Sequence, residues 1–233
     1  MPTNINLLRD QAYKLLLDMV ISGELRPEEP LSERKLAERL SMGRTPVREA
    51  LRALVRDGVV ESQVGRGTFV RRLSSDDVRA VYQVRQALEG MAAFLAAKNG
   101  PTKTLMGLGM QMKYMREHSD DYSRSQIDDI GAEFHRELFM AASNPMLLEV
   151  FEPLRLRFQI AFGLPGHNST DQLRDTLKEH LHILEAIERG DSSGAQAAML
   201  EHLEHGLQVR LHALEDMNAG RPDSQNHSIQ KSL

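Results

Sequence analysis

The most restrictive feature of this chain lies between residues 44 and 70, where a basic amphipathic helix runs directly into a glycine-bracketed hairpin. From Arg44 to Gly58, the apolar residues Val47, Ala50, Leu51, Leu54 and Val55 repeat along one helical face. Arg44, Arg48, Arg52 and Arg56 recur every four residues on the other side. Pro46 is compatible with this helix, because N–H groups in a first turn have no intrahelical partner. Two short strands, Val59–Val64 and Thr68–Val70, flank Gly65-Arg66-Gly67 and set Arg66 at the tip of a tight turn. The arginine row alone has two readings. It is a solvated face partly paired with Glu49 and Asp57, or it is a major-groove reader whose guanidinium groups meet guanine edges and phosphates.

The residues upstream favour the second reading. A first helix spans about residues 7–22, with Leu8, Ala12, Leu15, Leu16 and Met19 on its apolar face and Gly23 as its stop. Pro27 and Pro30 mark a connecting loop. Ser32 is a good N-cap for a second, short helix, and Leu31 and Leu36 have the spacing of a hydrophobic staple. A Ser41-Met42-Gly43 turn leads into the basic helix. Two helices, a basic helix and a two-stranded wing with an arginine tip make a winged helix-turn-helix. Charge is divided accordingly. Residues 1–72 carry 13 Lys and Arg against 10 Asp and Glu, while the other 161 residues carry 16 against 23.

This segment resembles the DNA-binding domain of the GntR family of bacterial regulators. The residues that carry the likeness are Leu31 through Ala37, Arg44-Thr45-Pro46-Val47-Arg48-Glu49-Ala50-Leu51, Gly58, and Gly65-Arg66-Gly67-Thr68-Phe69-Val70. The resemblance implies contacts to double-stranded operator DNA from Arg34, Arg44, Thr45, Arg48, Gly65 and Arg66. The family usually has Ser where this chain has Gly43, which removes a hydroxyl suited to a phosphate and shifts backbone anchoring without abolishing binding.

After a polar Ser74-Ser75-Asp76-Asp77 linker, only helical patterns follow, at about 78–98, 102–117, 124–142, 145–162, 169–189 and 192–216. Breaks fall at Asn99-Gly100-Pro101, Asn144-Pro145, Leu164-Pro165-Gly166 and Gly190-Asp191. The fold is therefore mainly α, with a winged helix-turn-helix (1–73), an all-α bundle of about six helices (74–217) and a polar, disordered tail (218–233). With no Cys, disulfides, Cys-based zinc ribbons and thiol catalysis are excluded; 12 Met and no Trp suit helix-on-helix packing. No apolar run spans a bilayer and no signal-peptide pattern opens the chain, so a cytoplasmic protein without membrane contact is expected.

Two groups in the bundle invite chemistry. Arg85 falls within the apolar stripe Val78, Val81, Tyr82, Leu88, Met91, Ala92, Leu95, where a charge needs a partner. That partner is Glu89, four residues on, or a carboxylate ligand held bidentately in a cavity. All nine histidines lie beyond residue 117, and His135, His180 and His202 sit on the apolar stripes of three different helices. Each reads as a hydrogen-bonded core residue or as one ligand of a shared metal site. His118, His167, His182 and His227 read as solvent-facing.

Residues 76–216 resemble the FCD ligand-sensing domain, through Val84-Arg85-Gln86-Ala87-Leu88-Glu89, Phe134-His135-Arg136, Ser143-Asn144-Pro145, His180 to Ile187, Gly190-Asp191, Ala195 and His202. The helix count is similar to the VanR-like branch. The resemblance implies that His135, His180 and His202 bind a divalent metal, zinc or nickel-like, commonly with an Asp four residues before the first histidine. Gly131 occupies that position here. The combined expectation is a homodimeric regulator, a repressor released by a small carboxylate effector held by Arg85. The alternative is a regulator for which the metal itself is the signal. A three-histidine hydrolase is disfavoured, because no general base with motif support lies nearby.

Overall fold

The computed structural model describes residues 4–219 apart from 28, 152–153 and 155–169. The Leu164-Pro165-Gly166 break, most of the fourth bundle helix, His167, His227 and the tail from residue 220 lie outside the described residues, while Asn218 and Ala219 belong to the last helix rather than to the tail. The element order is α1 (Asn4–Ile21), α2 (Glu33–Arg39), α3 (Arg44–Arg56), β1 (Val60–Gln63), β2 (Gly67–Val70), α4 (Ser75–Asn99), α5 (Lys103–Glu117) and α6 (Arg124–Ala141). A helix α7 follows, described over 145–151. Then come α8 (Thr170–Glu188) and α9 (Ser192–Ala219).

Buried apolar residues form two clusters, one running from Ala12 to Val70 and the other from Val78 to Leu214. In the first, α1 packs on α3 through Ala12, Leu16 and Met19, facing Val47, Ala50, Leu51 and Leu54. Leu8, Leu15 and Val55 depart from the expected buried faces and are 36–38% exposed. A helix of this width offers one stripe to its neighbour, and these residues stand at its margin. Ser32 caps α2 by accepting from the Lys35 amide, and the staple residues Leu31 and Leu36 are both buried. Gly43 caps α3 with no side-chain bond.

The wing is shorter than the expected strands. β1 and β2 pair antiparallel from Val60↔Val70 to Gln63↔Gly67, leaving Val64 fully exposed in the turn. Gly65 and Gly67 adopt φ of 78° and 99°, left-handed geometry that a side chain disfavours. Pro27 and Pro30 lie beside β2, and the Leu31 amide bonds to the Thr68 carbonyl at 2.7 Å.

Ser74 and Asp77 form a capping box at the start of α4, with Arg71 2.5 Å from Asp77. α4 packs most extensively on α9, and α5, α6 and α8 complete the second core. The inward face of α4 keeps Val78, Tyr82, Arg85 and Ala92 of the expected stripe, departs from it at Met91, which is 43% exposed, and adds Glu89, Ala93 and Ala96. The larger aliphatics Val81, Leu88 and Leu95 are only partly buried. Small alanines face inward because α9 approaches closely there.

Candidate functional site

On the basic helix, the arginine row is solvent-exposed. Arg52 pairs with Glu49 at 2.9 Å, and Arg44 lies 3.9 Å from Glu33 on α2. Asp57 does not join the row. It accepts a 2.6 Å hydrogen bond from Tyr13, tying the end of α3 to α1. Arg48 and Arg56 form no ion pair among the described residues and project from the exposed side of α3. Thr45 is exposed beside them, and Arg34 is exposed on α2, 2.9 Å from Glu38. At the wing, Arg66 donates to Gln63 and stacks over Phe69, so its guanidinium is held at the hairpin tip.

In the bundle, α6, α8 and α9 bring His135, His180 and His202 together. The companions expected on each stripe are buried: Ile127, Ile130 and Leu138 on α6, Leu173, Leu177 and Leu184 on α8, Ala195, Ala198 and Met199 on α9. Nε2 of His135 lies 3.1 Å from Nε2 of His180 and 3.2 Å from Nε2 of His202. Two carboxylates stand behind the rings. Glu89 reaches Nδ1 of His135 at 2.5 Å, and Glu179 reaches Nδ1 of His202 at 2.7 Å. Glu179 also accepts from Nδ1 of His205, at 2.5 Å.

This arrangement sets the tautomers. An ionised carboxylate only accepts, so Nδ1 of His135 and of His202 carry hydrogen, and in neutral rings their Nε2 atoms present lone pairs. Burial holds His202 below its usual pKa, although Glu179 pulls the other way. With both rings neutral and their Nδ1 atoms turned to the carboxylates, two lone pairs would face each other across 3.2 Å, an arrangement that a cation resolves and a hydrogen bond does not. Imidazole nitrogens about 2.1 Å from one tetrahedral ion stand about 3.4 Å apart, within a few tenths of the two distances from His135. The donor set fits a divalent metal, with the carboxylates orienting the rings as such outer partners do.

Arg85 has the intrahelical partner Glu89. It is 2% exposed, donating from Nε to Glu89 at 2.6 Å and from Nη2 at 3.4 Å, and its guanidinium lies over the Tyr82 ring. It also lines a cavity of about 650 Å³ that reaches the three histidines. Burial would raise the Glu89 pKa, but the charge of Arg85 and the His135 contact hold its carboxyl well below the usual range. Gly131 faces the same cavity one turn before His135, and a Cβ there would stand 3.1 Å from Cε1 of His180. Asp128 and Asp129 line the cavity at exposed positions of α6.

Sequence reasoning missed Glu179, Arg210 and His205. Glu179 carried no signal, being one of several acidic residues on α8. Arg210 falls eight residues after His202, on the same side of α9 as the cavity, and that spacing was the signal available. His118 and His182 are exposed as expected.

The profile described as bacterial regulatory proteins, gntR family, matches residues 8–70, and that of the FCD domain matches residues 80–205. The chain belongs to the GntR family and carries an FCD domain. This GntR regulator is 32% identical over 205 residues to a probable D-xylose utilization operon transcriptional repressor of Paenarthrobacter nicotinovorans, covering 87% of this chain and 88% of that one. It is 27% identical to the transcriptional repressor RspR of Escherichia coli, over 84% and 86% of the two chains. Among solved structures, E. coli McbR/YncC superposes with a TM-score of 0.73 at 24% identity, over 89% of this GntR chain and 98% of the other. A metal-free FCD domain of TM0439 gives a TM-score of 0.54 at 18% identity, covering 63% of this chain and 99% of that domain. The family is one of DNA-binding transcriptional regulators, not of enzymes. Among the described residues, no helix is long and apolar enough to cross a membrane.

Proposed function

We propose that this regulator is a cytoplasmic, homodimeric repressor released by a small organic acid that binds at a metal held by His135, His180 and His202. The observation that carries the reading is the cluster of three Nε2 atoms opening into an arginine-lined cavity. When bound, the metal supplies an electrophilic anchor for a carboxylate oxygen. Glu89 and Glu179 hold two of the rings in the ligating tautomer, and Arg85 adds positive potential beside the incoming acid. The reader comprises residues 1–73 and the sensor residues 74–217. Arg34, Arg44, Thr45, Arg48 and the Gly65-Arg66 wing contact operator DNA.

Two further observations support the mechanism. Val84 and Met91 are exposed on α4, on one face with the partly buried Val81, Leu88 and Leu95 at alternating spacings of three and four. That apolar seam suits a second copy of the chain, and a two-fold dimer presents two α3 helices to half-sites of a palindrome. Ile21, at the end of α1, is among the residues that line the sensing cavity. Cavity occupancy is thereby felt by the DNA-reading unit, and an acid that favours one placement of that unit alters operator affinity.

Operator binding of metal-loaded protein, titrated with short carboxylic acids, tests the reading. Acid should weaken operator binding in wild type and not in His180→Ala. Arg48→Ala should cost about 1–3 kcal/mol at the operator, and Arg66→Ala should lower the salt dependence. Release of DNA by metal alone would make the metal the signal, and a normal acid response in His180→Ala would remove the metal from the mechanism.

A further inference from the structure

The walls of the sensing cavity are two helix faces running in opposite directions. On α9, His202, Leu203, Gly206 and Arg210 all line it, and the eight-residue step from first to last spans about 12 Å. On α6, His135 lines it at one end and Asp128 and Arg124 lie two and three turns earlier. Arg210 interacts electrostatically with Asp128 and Arg124, so the far ends of the two faces meet. The histidines thus stand at one end of the cavity and Arg210 at the other, with Tyr82, Ile127 and Leu203 forming a buried, largely apolar middle.

The charges are unevenly placed. Three guanidinium groups line the cavity, from Arg85, Arg124 and Arg210, against the carboxylates of Asp128 and Asp129. The two carboxylates are exposed at the rim, and Asp128 lies 3.2 Å from Arg124. Arg210 is only 4% exposed. Burial lowers its pKa most, Tyr82 and Asp128 act in the opposite direction, and Arg124 and Arg85 add to the lowering, which an anion in the cavity would counter.

We propose that Arg210 tunes this sensor to acids with two anionic groups, one bound at the histidine cluster and the other at Arg210. The inference rests on the metal-and-acid reading above and assigns the effector to the dicarboxylate class. Guanidinium is suited to the task because its planar fork bonds a carboxylate through two parallel N–H groups. The apolar middle then selects the length of the linking chain.

The test uses full-length protein loaded with Zn(II) and calorimetric titration with succinate, glutarate and adipate. Each is compared with the monocarboxylate of equal carbon count: butyrate, pentanoate and hexanoate. At one chain length at least, the dicarboxylate should bind about 10-fold or more tighter. Arg210→Gln and the volume-matched Arg210→Met should erase that preference while leaving affinity for zinc and for the monocarboxylate unchanged. No preference at any length in wild type overturns the proposal without need of a variant. So does a preference that persists in both Arg210 variants. In either case, monocarboxylate binding that still requires zinc and His180 leaves the metal-and-acid reading standing. Acids that bind equally to wild type and His180→Ala refute that reading, and this one with it.

Discussion

Replacing Gly131 separates ligation from packing at the histidine cluster. In an open helix position, Gly→Ala stabilises by about 0.8–1 kcal/mol. Here the new Cβ would stand 3.1 Å from Cε1 of His180, 3.8 Å from its Nδ1 and 4.0 Å from its Nε2. The ring must yield by a few tenths of an ångström, and that crowding offsets the helical gain, so Gly131→Ala should change stability by less than about 1 kcal/mol. Its effect on metal should be unfavourable, because the displaced ring is one of the three ligands. Gly131→Asp carries the same Cβ but projects a carboxylate toward the cluster. It should tighten zinc by at least about 10-fold over wild type and blunt the acid response by occupying the effector's coordination position. Competition with a chromophoric chelator measures the zinc affinities, and urea denaturation of the zinc-free proteins measures stability. Equal tightening by Ala and Asp would show that backbone stiffening, not a fourth ligand, drives the change. Absence of zinc binding in all three proteins would make the histidines core residues.

Other substitutions follow from the same geometry. Arg85→Met leaves Glu89 buried without its guanidinium and should cost about 3–5 kcal/mol, whereas Arg85→Met with Glu89→Leu should recover much of the loss in a denaturation double-mutant cycle; additive losses would refute the pairing. Gly43→Ser should raise stability by a few tenths of a kcal/mol and strengthen operator binding, because Gly43 already has extended backbone at the N-cap and a Cβ meets only Pro46 at 3.6 Å. A lower melting temperature would contradict that. The Asp77 pKa is lowered: burial acts upward, but the Ser74 hydrogen bonds and Arg71 outweigh it. Its contribution is therefore present above the ordinary carboxylate pKa and lost as pH falls through the lower folded value. Asp77→Asn should destabilise at pH 7 and progressively less below pH of about 4, a convergence that thermal melts across pH would reveal.

Much of the winged unit was legible because its information is local. Cap, staple, arginine row and glycine-bracketed turn each depend on neighbours within a few residues, and a periodic stripe names a helix face wherever that helix packs. The histidine stripes were legible on the same terms, one helix at a time. What periodicity leaves open is where an inward face ends. On α4 the stripe rightly held Val78, Tyr82, Arg85 and Ala92, but Met91 is 43% exposed, and Glu89, Ala93 and Ala96 join the inner face. Close approach of α9 leaves room there for small side chains. Convergence lay further out of reach. His135 meets residues 45 and 67 positions away, and Glu179 meets a histidine 23 positions on. Helical spacing sets relations along one axis only, whereas the crossing of α6, α8 and α9 sets distances between axes. The sequence by itself determined the helices, the wing and the residue types available for chemistry. The tertiary packing decided that three imidazole nitrogens meet, that two carboxylates orient them, and that Arg210 faces them across one cavity.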